Sequence, residues 1–143
     1  MSTLTLQREF TAAPETVFAY FTRSENVVQW WGPEGMGMKD YKLDLTQLGN
    51  WTSTLFNAEG GLHKMSGVVT AIDPPNWMEF TWGWHDGDDL RGHESRVRLE
   101  VKPNGSGGSL FVLIHSDLPD EESATNHGKG WASALNKLER MAN

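Results

Sequence analysis

Residues 119–143 read PDEESATNHGKGWASALNKLERMAN, and this stretch decides the fold. Apolar and small residues recur at Ala124, Gly128, Trp131, Leu135, Leu138 and Ala142, with His127, Ala134 and Met141 between them. That spacing puts one continuous apolar or small face on a helix running from Pro119 to Asn143, roughly 30 Å long at about 1.5 Å per residue. Asp117 or Asp120 can cap its start and Pro119 suits the first turn. Glu121 and Glu122 suit the positive end of its dipole, and Lys137 and Arg140 the negative end. Such a stripe needs a partner surface. The large apolar material upstream lies in alternating segments, so a sheet folded around this helix is expected.

Just upstream, Leu110 to Asp117 alternates, with Phe111, Leu113 and His115 on one face. His93 to Lys102 alternates most clearly of all, placing His93, Ser95, Val97, Leu99 and Val101 inward. The connection Pro103-Asn104-Gly105-Ser106-Gly107-Gly108 is short enough to pair these two strands antiparallel. If that pairing sets His115 opposite Ser95, His93 is a diagonal neighbour at about 7–8 Å. The outward row Leu110, Val112 and Ile114 is also apolar, which points to a subunit contact and a homodimer.

Further outward lie strand-like runs at Trp77 to Trp84, Lys64 to Ile72 and Trp51 to Leu55. In the first, Met78, Phe80, Trp82 and Trp84 share a face; in the last, Trp51, Ser53 and Leu55 do. Asp73-Pro74-Pro75-Asn76 and Asn57 to Gly61 separate them as turns, and Gly49 marks a turn or bulge. Lys39 to Leu45 is expected to be a strand with Tyr41, Leu43 and Leu45 on one side. Thr3 to Phe10 is the first strand. Ala13-Pro14-Glu15 opens a short helix, and a second runs from Ser24, its expected cap, to Trp30 or Trp31, where Gly32-Pro33 stops it. The order is strand, two short helices, six further strands and the long helix: an α+β domain with an antiparallel sheet curved around one helix.

The 143 residues suit one domain, with no linker dividing them. No apolar run approaches the roughly 18–20 residues of a membrane span, and Met1-Ser2-Thr3-Leu4-Thr5 does not open a signal peptide, so a cytoplasmic location is expected. There is no cysteine, which excludes disulfide and thiolate chemistry. The formal charge of −7, with no basic cluster, argues against nucleic acid as a partner. Seven tryptophans fit either a bulky core or a lined pocket.

Catalytic chemistry has little to stand on. His93 or His115 could move a proton, but no nucleophile, paired carboxylate or cofactor motif accompanies them, so no catalytic residue and no cofactor are assigned. A metal site from His93, His115 and His127 would require convergence from two strands and a helix, and none is expected. The acidic loop His85 to Gly92 lacks calcium-loop spacing and reads as a solvated hairpin tip.

Particular residues carry a family resemblance. Arg8-Glu9-Phe10 followed by Ala13-Pro14-Glu15-x-Val17-Phe18, then Trp30-Trp31-Gly32-Pro33, resembles the START/SRPBCC helix-grip superfamily and, within it, the family named after the activator of the heat-shock-protein-90 ATPase. Asp44 with Gly49-Asn50-Trp51, Gly67 before Asp73-Pro74-Pro75, Phe80-Thr81-Trp82, Leu113-Ile114-His115 and His127-x-x-Gly130-Trp131 follow in that family's order. Members often carry an arginine and paired glycines where this chain reads Leu45-Thr46-Gln47-Leu48-Gly49, so a ligand anchor based on that arginine does not carry over. The resemblance implies a helix-grip fold and a ligand between the sheet and the long helix. The Gly32-Pro33 break fixes where the two rings of Trp30-Trp31 point, which makes Trp31 the expected pocket entrance and Trp30 structural. Trp51, Ser53, Phe80, Trp82, Trp84, His93, Ser95, Phe111, Leu113, His115, His127 and Trp131 become candidates to line the pocket. The expected activity is binding of a small hydrophobic or aromatic molecule. The alternatives are a cyclase- or isomerase-like enzyme using the same cavity and a chaperone-interacting module. The larger co-chaperone's additional N-terminal domain has no counterpart in these 143 residues, which weakens the last.

Overall fold

The structure, a computed structural model, describes residues 1–142; the expected helix end at Asn143 lies outside them. Strand β1 (Ser2–Phe10) leads into helices α1 (Pro14–Thr22) and α2 (Ser24–Trp30). Strands β2 (Gly37–Lys42), β3 (Gly49–Phe56), β4 (Leu62–Asp73), β5 (Trp77–Trp84), β6 (Ser95–Pro103) and β7 (Ser109–Leu118) follow, then helix α3 (Glu121–Ala142). All neighbouring strands pair antiparallel, in the order β1-β7-β6-β5-β4-β3-β2. The sheet curves around α3, giving the helix-grip arrangement, α+β in class. None of the described helices is long and apolar enough to cross a membrane.

Alternation decides which face is buried. In β3, β6 and β7 the inward residues Trp51, Ser53, Leu55, Ser95, Val97, Leu99, Val101, Phe111, Leu113 and His115 are all buried. From α3, Trp131, Ala134, Leu135, Leu138 and Ala142 meet them, whereas Ala124 and Gly128 in its first half are only half-buried. Asp120 caps α3, its Oδ1 accepting the Ser123 N–H at 2.8 Å.

Several local expectations are corrected. Ser24 is the first helical residue of α2 rather than its cap: Arg23 precedes it in an extended conformation, and no side chain caps the helix. β2 ends at Lys42, leaving Tyr41 half exposed, while Leu43 and Leu45 are buried beyond the strand and the Leu45 N–H donates to the Thr22 carbonyl at 2.9 Å. His115 stands opposite Val97, so the condition under which His93 would be its diagonal neighbour is not met. The cause is the connection: the Asn104 side-chain oxygen accepts the N–H groups of Ser106 and Gly108, so Pro103 pairs with Ser109 across five loop residues. A two-residue slip leaves every side chain on its expected face.

The outward row Leu110, Val112 and Ile114 is half-buried within the chain itself. It is flanked by Glu9, Gln7 and Thr5 of β1 and by Lys102, Glu100 and Arg98 of β6. Arg98 is held over the Trp77 ring, 4.2 Å from its centroid, and by ion pairs to Glu79 and Glu100. Long side chains thus cover apolar surface with their stems while their charges stay wet.

Candidate functional site

The interior is filled unevenly. At one end Phe111 packs edge-on against Phe10 and Phe21, with centroids 6.2 and 5.4 Å away, and α1 closes that end. At the other end a cavity of about 500 Å³ separates the sheet from the first half of α3. Its sheet-side wall is Leu55, Met65, Trp82 and Trp84; Trp31, Gly32 and Pro33 form one side, and Gly130, Trp131 and Ala134 come from α3. The first turns of α3 contribute Asp120, Glu122, Ser123, Asn126 and His127. Asp120, Glu122 and Asn126 are exposed, as is 41% of Trp84, so the mouth lies at the start of α3.

Trp31 is placed by the break after α2. Gly32 has a φ of +82°, a backbone that favours glycine, and a Cβ there would come within 2.9 Å of Leu55. The Trp30 indole turns away and donates to the Tyr20 carbonyl at 2.9 Å. Trp31 points inward, only 3% exposed, and stacks on Trp82 with centroids 5.6 Å apart and planes 28° apart. It is therefore an interior wall rather than the entrance; Trp84 stands at the entrance. The Trp31 carbonyl accepts from Lys137, which ties this turn to α3.

Of the residues singled out from sequence, Trp31, Trp82, Trp84, His127 and Trp131 line the cavity. Trp51 and Phe80 stand one layer back, 5.4 and 6.2 Å from the Trp31 ring. Ser53 is buried and donates its hydroxyl to Met38 Sδ at 3.2 Å. Phe111 and Leu113 belong to the closed part of the core. His93 is exposed and bonds the Asp117 carbonyl, well outside the wall, because β6 begins only at Ser95.

Ser95 and His115 form a buried chain behind the wall. The Trp131 indole N–H donates to His115 Nδ1 at 3.0 Å, which makes that nitrogen an acceptor and places the ring proton on Nε2. Nε2 then donates to Ser95 Oγ at 2.7 Å, and the Ser95 hydroxyl faces the Trp82 carbonyl at 3.5 Å. Burial, with His127 beside it, pushes the His115 imidazole down to about 3. His127 packs edge-on against it at 4.6 Å and is also lowered by burial. His127 Nε2 accepts the Trp84 indole N–H at 3.1 Å, so this bond spans the mouth from β5 to α3.

The neutral His115 gives a pH dependence of known sign. The unfolded chain takes up its proton near 6.5 and the folded one only near 3, so stability is fully present above about pH 7 and falls as pH drops through this window. Between pH 7 and pH 5 urea unfolding should show a loss of about 2 kcal/mol from this group. His115→Gln should flatten that slope; an unchanged slope in the variant would assign the acid sensitivity to other groups.

Two indole nitrogens, those of Trp31 and Trp82, are buried with no hydrogen-bond partner among the described residues. Each carries a penalty of about 1–3 kcal/mol, offset by ring packing in a cluster that also includes Trp51, Trp84 and Trp131. The residues of the site that sequence reasoning missed are mostly small or polar: Gly130, Ala134, Ser123, Asn126, Asp120 and Glu122. Their spacing along α3 was the available signal, since positions 123, 127, 130 and 134 share a face on which His127 alone carries a ring.

Solved structures place this architecture among known proteins. The chain is similar to the crystal structure of an AHSA1 protein from Silicibacter pomeroyi, at 44% identity and a TM-score of 0.94, covering 98% of this chain and 96% of that one. A protein from Chromobacterium violaceum (22% identity, TM-score 0.85, 98% and 96% covered) and one from Mycobacterium smegmatis (20%, 0.80, 99% and 90%) share the fold. No curated protein matches the chain. The sequence pattern described as Activator of Hsp90 ATPase homolog 1-like protein matches residues 11–143. With that pattern spanning both short helices, six of the seven strands and the long helix, the chain belongs to the Activator of Hsp90 ATPase homolog 1-like protein family.

Proposed function

We propose that this protein binds a small, flat, largely apolar molecule in the cavity between the sheet and the first half of α3. The observation that carries this reading is a space of about 500 Å³ walled by the rings of Trp31, Trp82, Trp84 and Trp131. Its size falls within the range of small-molecule pockets, roughly 300–1,000 Å³, and its few polar groups gather at one end, where they can orient a ligand. Aromatic walls favour a ring that stacks or meets them edge-on. Binding is favoured over catalysis because His115 has both ring nitrogens engaged and lies behind the wall.

Calorimetry with naphthylethanol, an uncharged bicyclic probe, tests it. At about 0.3 kcal/mol per heavy atom a probe of this size should bind with a Kd of about 1 mM or tighter. Gly130→Leu should weaken that binding at least about tenfold without unfolding the chain. A Cβ at Gly130 meets only Pro33 Cγ, at 3.8 Å, and leucine favours the helix. Equal affinity in parent and variant, or no heat from the parent, would contradict this placement of the ligand.

A further inference from the structure

We infer that the ligand of this cavity is an organic cation: an aromatic or apolar body carrying an ammonium group, seated with the ammonium at the mouth beside Trp84, Asp120 and Glu122. This rests on the binding reading above and adds the charge of what is bound.

The charged groups facing the space are of one sign. Each of the four wall indoles has its N–H bonded or covered: Trp131 donates to His115, Trp84 donates to His127, and the Trp31 and Trp82 nitrogens are enclosed by protein. The cavity therefore meets these rings through carbon, and none of the four indoles offers an N–H donor to an anion. Among the described residues no lysine or arginine lines the cavity, whereas two carboxylates do. Asp120 uses Oδ1 to cap α3, and Glu122 takes part in no ion pair with the described residues. The positive end of α3 would otherwise favour an anion, but Asp120, Glu121 and Glu122 already occupy it. The chain's charge of −7 adds a field of the same sign. An anionic ligand would find no counter-charge here and two like charges at the entrance. A cation would find two carboxylates beside the aromatic wall.

Three probes of similar size separate charge from shape: naphthylethylammonium, naphthylethanol and naphthylacetate, titrated calorimetrically at low and moderate salt. The ammonium should bind at least about threefold more tightly than the alcohol and the carboxylate most weakly, with the gap narrowing as salt rises. Asp120→Asn with Glu122→Gln should shrink the ammonium's advantage over the alcohol toward unity. Asparagine keeps the helix cap, and Glu122 is exposed, so folding is preserved. If the alcohol binds as tightly as the ammonium, the cation assignment fails and the binding reading stands. An ammonium preference that survives both substitutions also overturns it, because the carboxylates would not be its source. If none of the three binds, both readings fall.

Discussion

Trp131→Ala is expected to lower the free energy of unfolding by about 3–5 kcal/mol, the cost of replacing a large buried ring by a methyl group. Trp131 is 5% exposed, and its ring meets Trp31 and Trp82 with centroids 5.7 and 5.4 Å away. Removing it deletes the contact that clamps the middle of α3 to the tryptophan cluster, and it enlarges a cavity that already exists. It also leaves His115 Nδ1 without its donor inside the core. Trp131→Phe separates these effects, since it restores much of the ring but not the N–H, and should cost about 1–3 kcal/mol. Urea unfolding followed by far-ultraviolet circular dichroism measures both. An alanine variant as stable as the parent would mean that α3 is held to the sheet by its second half alone.

Gly67→Ala should be at least as damaging, with a loss of about 4 kcal/mol or more, or no cooperative transition at all. Gly67 pairs with Trp51 across β3 and β4, and the Trp51 indole crosses it to donate to the Thr81 carbonyl of β5 at 3.0 Å. A Cβ at Gly67 would lie 1.8 Å from that carbonyl oxygen and 2.6 Å from Trp51 Nε1. The carbonyl cannot retreat easily, because Thr81 also accepts the Val68 N–H through its hydroxyl at 2.9 Å. One added methyl group therefore separates two strands and displaces a buried ring from the layer that supports Trp31. Gly128→Ala is the matched control: nothing lies within 4 Å of its Cβ, and the change should stabilise α3 by about 0.5–1 kcal/mol. A Gly67 variant within about 1 kcal/mol of the parent would show that β4 and β5 are not held this closely.

Much of the fold was legible because alternation and helical spacing report directly which face of an element is buried. The inward set from Ser95 to Val101, the matching set from Phe111 to His115, and the buried stripe of α3 from Trp131 to Ala142 follow from periods of two and about 3.6 residues. The same periodicity could not see the register: setting His115 opposite Ser95 or opposite Val97 keeps every side chain on the same face. The observed register goes with a five-residue connection in which the Asn104 side chain folds onto Ser106 and Gly108. The limits of β2 were equally hidden, since Tyr41, Leu43 and Leu45 alternate like a strand while only the latter two reach the core.

The candidate site divides in the same way. By itself the sequence determined that aromatic rings and a few polar groups face the interior, and that a long helix covers them. Only tertiary structure decided which of those rings border empty space. Phe111 and Trp82 stand on equally inward positions, yet one is packed between Phe10 and Phe21 and the other borders the cavity. The physical reason is that a pattern along the chain specifies direction, whereas a void is a deficit of volume summed over elements far apart in sequence. It forms here because α3 brings Ser123, Gly130 and Ala134 opposite a wall built from β3, β4, β5 and the turn after α2.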